Sequence, residues 1–323
     1  MPSAEFDRFV ARVNAPIRFR RDDIDGFAIG IGLHLLTGQE RVQAEDMLIG
    51  RLGTDDGRLA AALAEVGCTR AIPALAERAA ASASPAMRLS AARALLALGD
   101  DSGDDSGGSA LADLLRTGAG DRHDRAAALT LLAQFPDPDL EVFWDTAVAD
   151  PHESARSSAT AALISLHGLT DYNTSYRDVL GGIHARMFSP LRSVRTDAMS
   201  DLRTVIARTA AGETPQQLGL TWQADDQAEP VKTFIDSIHN DHPPWAHRYA
   251  LDGLAALPGP GRVWVEDMLL GLLHRDPRAA HAVATLRVQR AIEPLRELLH
   301  TADGTIATQA TTALRQLTDH DTP

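Results

Sequence analysis

Aromatic residues are scarce in this chain of 323 residues, and the shortage already restricts the fold. They make up 5% of the sequence, against 44% for all hydrophobic residues, so any core must be built mainly from Ala and Leu. Both residues are strong helix formers, whereas β-branched residues are too scattered to indicate a sheet. The composition therefore favours closely packed helices and an all-α fold.

Cysteine and long apolar runs are equally scarce. Cys68 is the only cysteine, which excludes an intramolecular disulfide and fits a reducing compartment. The longest apolar stretch, residues 27–36, is far too short to span a bilayer. Residues 1–14 have the pattern of an amphipathic helix and lack the apolar segment of a signal peptide. We therefore expect a soluble cytoplasmic protein without a membrane partner.

Positive charge is the third shortage. The chain has 31 Lys and Arg against 44 Asp and Glu, a formal net charge of −13, and Lys232 is its only lysine. A nucleic-acid-binding protein needs a basic surface that replaces the counterions of the phosphate backbone. We therefore expect no nucleic-acid partner, and a basic partner protein would complement this acidic chain.

What the chain does contain is a repeated pattern. The nonapeptides AEDMLIGRL at 44–52 and VEDMLLGLL at 265–273 are identical at six of nine positions. The match continues from 55–77 to 275–297, and the displacement changes from 221 to 220 residues across the intervening turn. Self-similarity over this length predicts two equivalent helix pairs, because a one-residue change in a turn is readily tolerated.

A shorter period runs through the rest of the chain. The template R-x-x-A-x-x-x-L-x-x-L places its apolar residues on one stripe of an α-helix. Its copies start 28 to 52 residues apart, about the length of two helices with their turns. The first residues of these copies are Arg88, Arg125, Arg156, Arg195, His247, Ala279 and Ala307. The stripe predicts that the following leucines are buried: Leu95, Leu132, Leu163, Leu202, Leu254 and Leu314.

The helices of this pattern resemble a known repeat family. ADPHESARSSATAALISLHG at 149–168 is similar to the second helix of a HEAT repeat of the bilin-lyase-like type. AIPALAERA at 71–79 and AIEPLRELL at 291–299 are similar to the first helix, and the resemblance extends over residues 44–318. It implies a right-handed α-solenoid of helix pairs, in which the template Arg pairs with an Asp of a neighbouring turn.

The pattern divides the chain into four stretches. N-terminal capping helices are expected at 1–43, HEAT-like repeats at 44–205, an inserted loop at 206–230, and further repeats with a C-terminal cap at 231–323. The insertion is inferred because the step from Arg195 to His247 is 52 residues, longer than every other step. Long loops in a helical array often carry function.

The candidate binding face is formed by the residues five and nine positions after the first residue of each template copy. These residues point away from the buried stripe, and they are small and mildly polar. They include no cluster of carboxylates, no histidine pair and no basic run, so we expect no catalytic residue, metal or cofactor on this face. The partner-binding residues predicted here are Arg93, Gln134, Ser165 and Thr204.

The inserted stretch and the Pro-rich segment after it supply the other predicted contacts. Trp222 has no helical stripe in which to be buried, and Asp225 and Asp226 follow it closely. Trp245 comes directly after two prolines, and tryptophan is favoured at interface hot spots. We predict that all four side chains contact the partner.

Three weaker signals have a structural interpretation that we prefer. HNDHPPWAH at 239–247 has metal-ligand residue types, but it suits a turn followed by a helix start. GDDSGDDSGGS at 99–109 departs from a calcium loop and suits a flexible acidic loop. Trp144 and Trp264 are expected in the core, although Trp144 with Asp145 has the residue types of a DNA glycosylase site.

These observations predict a non-catalytic protein-binding scaffold or inhibitor that uses the inner face of a HEAT-like superhelix. A narrower version is an antitoxin-like immunity protein, whose acidic charge would match a basic target. The alternative is a HEAT-like enzyme, either DNA glycosylase-like or tetrapyrrole lyase-like. Polar residues that converge on the inner face would favour the enzyme.

Overall fold

A computed structural model describes residues 2–15, 29–99, 106–170, 179–221, 229–239, 249–257, 259–302 and 304–319. Every regular element within these ranges is helical, so the all-α prediction is confirmed. No helix in them is long and apolar enough to cross a membrane. The chain divides into two compact units, unit 1 (Met1–Phe143) and unit 2 (Trp144–Pro323), with the boundary inside a helix.

In unit 1, helices pack on their neighbours in sequence and on the next helix but one. Its core is made mainly of Leu and Ala, with Leu48, Leu63 and Leu75 fully buried. Residues 29–34 are helical as well. The helices with both ends described are α1 (Ala4–Val13), α2 (Gly38–Arg51), α3 (Gly57–Glu65), α4 (Ile72–Ala81), α5 (Pro85–Leu98), α6 (Ser106–Arg116) and α7 (Arg122–Leu132).

Unit 2 contains the end of α8 (Leu140–Ala149) and the helices that follow it. These are α9 (Glu153–Leu166), α10 (Val179–Arg186), α11 (Arg192–Ala210), α12 (Glu229–His239), α13 (Gly259–Leu272), α14 (Pro277–Thr285), α15 (Ile292–Thr301) and α16 (Gly304–Thr318). Helix α10 packs on α11 and α13, and α11 packs on α15. Aromatic rings pack edge to face in this core, with Phe234 against Tyr249 and Trp264.

Capping residues explain where several helices begin. The Ser84 hydroxyl accepts a hydrogen bond from the Met87 amide (3.3 Å), and Pro85 opens α5 with its fixed φ. Asp121 begins α7 with a capping box that it shares with Asp124. Each cap satisfies amide groups that a helix start leaves without partners.

The duplicated segments form the same local structure in both units. Helices α2, α3 and α4 of unit 1 correspond to α13, α14 and α15 of unit 2. In both copies an Arg binds a Glu one turn later: Arg41 Nε lies 2.9 Å from Glu45 Oε1, and Arg262 Nε lies 2.7 Å from Glu266 Oε1. The predicted equivalence of these helix pairs is confirmed.

The buried stripe is confirmed for five of the six predicted leucines. They are at most 1% exposed: Leu95, Leu132, Leu163, Leu202 and Leu254. Leu314 is only partly buried, because the buried stripe of α16 runs through Ala310, Ala313 and Leu317. The first and last apolar positions of the template, Ala310 and Leu317, are buried as predicted in this helix, and Ala313 takes the place of Leu314 between them.

The template copy that starts at His247 is not helical where the structure describes it. Residues 249–251 have no regular structure, and only a short 3-10 turn follows at Leu254–Ala256. Gly253 has φ of +78°, and a Cβ there would lie 2.9 Å from Pro230 Cγ, so a helix cannot pass through it. Residues 206–210, expected in the insertion, belong instead to α11.

Three of the template arginines bind backbone carbonyls, so their expected pairing with an Asp of a neighbouring turn is wrong. The acceptors are the carbonyls of Ala79 and Ala110 for Arg88 (3.0 and 2.7 Å), of Met187 for Arg156 (2.9 Å) and of Val148 for Arg195 (2.7 Å). Burial lowers the pKa of Arg195 to about 10. These side chains join adjacent helices, and the carbonyls of Ala79, Val148 and Met187 lie at or just beyond helix ends, whereas that of Ala110 lies within α6.

Candidate functional site

The predicted binding face is exposed in the described residues. The side chains five and nine positions after the first residue are exposed in six of the seven template copies, which makes twelve exposed side chains. The exception is the copy that starts at Ala279. In that copy the equivalent residues, Ala284 and Val288, are buried. The predicted contacts Arg93, Gln134, Ser165 and Thr204 are among the exposed twelve.

The polar groups on this face are largely satisfied within their own helices. Gln134 Nε2 donates to the Thr130 carbonyl (3.1 Å), and the Thr204 hydroxyl donates to the Ser200 carbonyl (2.9 Å). Such local bonds leave small, neutral side chains pointing outward. The face therefore offers a smooth surface and few directed polar groups.

A groove of about 360 Å³ lies on this face in unit 1, between α3 and α5. Its walls are formed mainly by alanine side chains: Ala61, Ala64, Ala94 and Ala97. The exposed side chains of Glu65 and Arg93 add one negative and one positive charge to the lining. The groove therefore combines small apolar walls with one charge of each sign.

The remaining predicted contacts lie outside the described residues. These are Trp222, Trp245, Asp225 and Asp226. Most of the histidine-containing stretch 239–247 also lies outside them, as do residues 100–105 of the acidic stretch. Residues 106–109, which we expected in that loop, form the first turn of α6.

Trp144 and Trp264 are in the core, as predicted. Trp264 is 2% exposed, and Trp144 is 8% exposed. The guanidinium of Arg203 lies 4.3 Å from the centre of the Trp144 ring, a cation–π contact between α8 and α11. This contact gives Trp144 a packing role within unit 2.

A buried ionic cluster in unit 2 was not found from the sequence. Its members come from α10, α11, α13 and the turn before α15: Arg186, Asp197, Asp201, Asp267 and Arg290. Arg186 Nη1 lies 2.6 Å from Asp197 Oδ2, and Nη2 lies 2.6 Å from Asp201 Oδ2. Arg290 Nη2 lies 2.6 Å from the same two oxygens. The two guanidiniums thus bridge both carboxylates.

Asp267 is the third carboxylate of this cluster, and its side chain is 0% exposed. Its Oδ1 lies 3.3 Å from Arg186 Nε and 3.2 Å from Arg290 Nη1, but neither oxygen accepts a hydrogen bond within the described residues. The two positive charges are already matched by Asp197 and Asp201, so an ionised Asp267 adds an unmatched negative charge. Burial raises the pKa of Asp267 to about 6, although both arginines act to lower it.

One signal for this cluster is present in the sequence. Asp267 and Arg290 stand at equivalent positions to Asp46 and Arg70 in the duplicated segments, which indicates a pair that recurs. The burial of the second pair depends on helices that precede it by many residues, so the sequence pattern does not show it. The described residues contain no group of three or more His, Cys, Asp or Glu suited to a metal ion.

Comparisons with protein-family models, with curated proteins and with solved structures found no match for this chain. The HEAT resemblance therefore depends on the sequence pattern alone. Function must be argued from the surfaces and cavities of the molecule itself.

Proposed function

We propose that this protein is a non-catalytic, cytoplasmic protein-binding scaffold or inhibitor of the HEAT type. Its helix pairs form a right-handed α-solenoid, and the exposed face of the second helices receives a partner protein. The observation that carries the proposal is the exposure of small, mostly neutral side chains at twelve positions of six template copies, five of which are helical. Exposed positions that recur with the repeat provide the extended surface that repeat proteins use for binding.

The groove between α3 and α5 is the part of this face best suited to hold a peptide segment. Its alanine walls leave room for side chains of the partner, and Arg93 and Glu65 offer one charge of each sign. The formal charge of −13 favours a basic partner, because complementary charge accelerates encounter. An antitoxin-like immunity protein with a basic target is the narrower form of this proposal.

Site-specific photo-cross-linking tests the proposal in cells. A photoreactive side chain at Ala97, in the groove, is compared with one at Ala80, an equally exposed alanine on α4 that does not line it. We expect one protein to be cross-linked from position 97 and not from position 80. That protein is then purified, and its affinity for the chain is measured directly.

The variants Ala97→Trp and Ala80→Trp provide the matched control. A Trp at position 97 should fill the groove and weaken the purified partner's binding at least tenfold, about 1.4 kcal/mol, whereas a Trp at position 80 should not. Equal affinity of the two variants would refute the groove as the binding site. Sub-micromolar, salt-dependent binding to DNA would instead favour the glycosylase-like alternative.

A further inference from the structure

Unit 2 contains an apolar cavity that the proposed protein-binding face does not use. Its volume is about 520 Å³, within the range of small-molecule sites. One wall is formed by Trp264 and Met268, which lie one turn apart on α13. Ile235 and Ile238 of α12 form another wall. The lining therefore combines an indole, a flexible thioether and branched aliphatic groups, which suits an apolar ligand.

The cavity lining is already anchored to the core, so the cavity is preformed. Trp264 is 2% exposed and belongs to the buried core of unit 2. Ile235, Ile238 and Met268 are partly buried and pack on the same core with one side. The surface that these three side chains leave open lines the cavity, and a ligand would bury it. Burial of apolar surface is the main driving force for such binding.

Three polar side chains also line the cavity, and only Arg275 supplies a positive charge. Arg275 is exposed, and no ion pair or hydrogen bond of its side chain is found in the described residues. Glu153 is also exposed, in the first turn of α9, and its negative charge acts in addition on the buried guanidinium of Arg156, whose pKa it raises against the effect of burial. Burial, together with Arg275, lowers the pKa of His274, so its ring is neutral near pH 7.

We propose that this cavity binds a small apolar monocarboxylate, a medium-chain aliphatic or arylaliphatic acid. Its apolar part lies between Trp264 and the two isoleucines of α12, and its carboxylate pairs with Arg275. A guanidinium is well suited to this role, because its planar array of donors matches the two oxygens of a carboxylate. The neutral ring of His274 provides an additional hydrogen-bonding group beside the carboxylate.

Calorimetric titration with matched ligands tests the proposal. Octanoate and 3-phenylpropanoate are compared with octanamide and 3-phenylpropanamide, which keep the shape of the acids and remove the charge. We expect saturable binding of one acid per chain, with an affinity at least fivefold above that of the matching amide. An absence of saturable binding by either acid at millimolar concentration would overturn the proposal.

Three variants locate the ligand. Arg275→Gln should reduce the affinity of each acid to that of its amide, whereas Arg315→Gln, an exposed arginine of α16 outside the cavity lining, should change nothing. Met268→Trp fills the cavity from α13 and should abolish binding of acids and amides alike. Ile238→Trp fills the cavity from α12 and should have the same effect. Circular dichroism checks that each variant is folded, and two independent filling variants keep the test valid if one of them is not. If the acids still bind both filling variants, or if Arg275→Gln leaves their affinity unchanged, the ligand binds elsewhere.

Discussion

The two copies of the duplicated helix pair share their local contacts. In each copy the Arg that binds a Glu one turn later also reaches a carbonyl beyond the next helix: Arg41 Nη2 donates to Val66, and Arg262 Nη2 donates to Leu286. In each copy an Asp caps the second helix and binds an Arg two residues later, at 2.7 Å. Contacts made within the helix pair are therefore reproduced wherever the sequence is repeated.

The copies differ at one equivalent carboxylate. Asp46 in unit 1 has a side chain that is 57% exposed, and it pairs with Arg70, whose side chain is 50% exposed. Its counterpart Asp267 is fully buried between Arg186 and Arg290. The same Glu-Asp-Met sequence thus gives an exposed ion pair in one unit and a buried cluster in the other.

The difference arises from helices outside the duplicated segment. Helix α10 packs on α13 and supplies Arg186, and α11 packs on α15 and supplies Asp197 and Asp201. Glu297 of α15 also caps α11, since its carboxylate accepts the amides of Arg192 and Ser193 at 2.8 and 3.0 Å. Equivalent segments therefore acquire different electrostatics from the helices that cover them.

Replacing Arg186 by Met should give the largest difference in unfolding free energy between a substitution in unit 2 and its counterpart in unit 1. The change leaves Asp267 buried with a single guanidinium, and removal of one partner of a buried ion pair costs about 3–5 kcal/mol. Arg70→Met removes the half-exposed partner of Asp46 and should cost less than about 1 kcal/mol. Urea unfolding measures both, with circular dichroism for the whole chain and tryptophan fluorescence for unit 2, which contains all four tryptophans. Equal costs would mean that the buried cluster contributes no more to stability than the exposed pair in unit 1.

The second-largest expected effect is a pH dependence of the unfolding free energy that comes from Asp267. Because the pKa of Asp267 is raised from 3.8 to about 6, the folded chain holds a proton there that the unfolded chain has already lost. The contribution of this group to stability is therefore largest at low pH and is lost as the pH rises through about 6. The loss is on the order of 3 kcal/mol.

Asp267→Asn removes this titration while it keeps the shape of the side chain. The stability of the variant relative to the wild type should rise by that amount between pH 4 and pH 7, and urea unfolding at constant ionic strength measures it. Carboxylates elsewhere with lowered pKa, such as Asp276 and Glu297, have the opposite pH dependence and cancel in the difference. A difference that does not change with pH would show that Asp267 is ionised throughout this range.

The sequence predicted the features that depend on local pattern. The 3-7-10 spacing places Ala and Leu on one face of each helix, and four predicted leucines, Leu95, Leu132, Leu163 and Leu202, are buried on such a face. Leu254 is buried too, but in a segment that is not α-helical. The residue five positions after the start is exposed in the five copies that are helical and follow the template, for the same reason. Gly253 limited this reasoning, because a left-handed φ interrupts a helix that the apolar spacing alone predicts.

The sequence could not predict which side chains meet between distant helices. Arg186 and Asp267 are 81 positions apart in the chain, and no pattern in either segment indicates the other. The template arginines were assigned carboxylate partners by resemblance, whereas the carbonyls at the ends of neighbouring helices bind them in the structure. Such contacts depend on how helices pack, which local spacing does not determine.

Gly182→Ala tests whether the stability of unit 2 depends on the close approach of α10 to Asp267. A Cβ at position 182 would lie 3.3 Å from Asp267 Oδ2 and 3.4 Å from Trp264 Cδ1, which is tight on both sides. We expect a loss of about 1–2 kcal/mol in urea unfolding followed by fluorescence, since overpacking of a rigid core is destabilising. The control is Gly50→Ala in α2, where nothing lies within 4 Å, and that change should stabilise by about 0.5–1 kcal/mol. Stabilisation by both substitutions would show that α10 can move away at no cost.

The smallest expected effect belongs to Asp46→Asn, the unit 1 counterpart of the substitution at Asp267. The side chain of Asp46 is 57% exposed, so water replaces its ion pair with Arg70 when the charge is removed. Exposed pairs of this kind contribute roughly 0–1 kcal/mol, and Arg70 keeps a second carboxylate, Glu45, at 3.5 Å. We therefore expect a change below about 0.5 kcal/mol at pH 7, measured by circular dichroism in urea. The identical substitution at Asp267 should at the same pH shift the fluorescence-detected transition to higher urea. If Asp46→Asn instead destabilised unit 1 as strongly as Arg186→Met destabilises unit 2, the exposed and buried copies would be equally important, and the covering helices would not explain the difference between them.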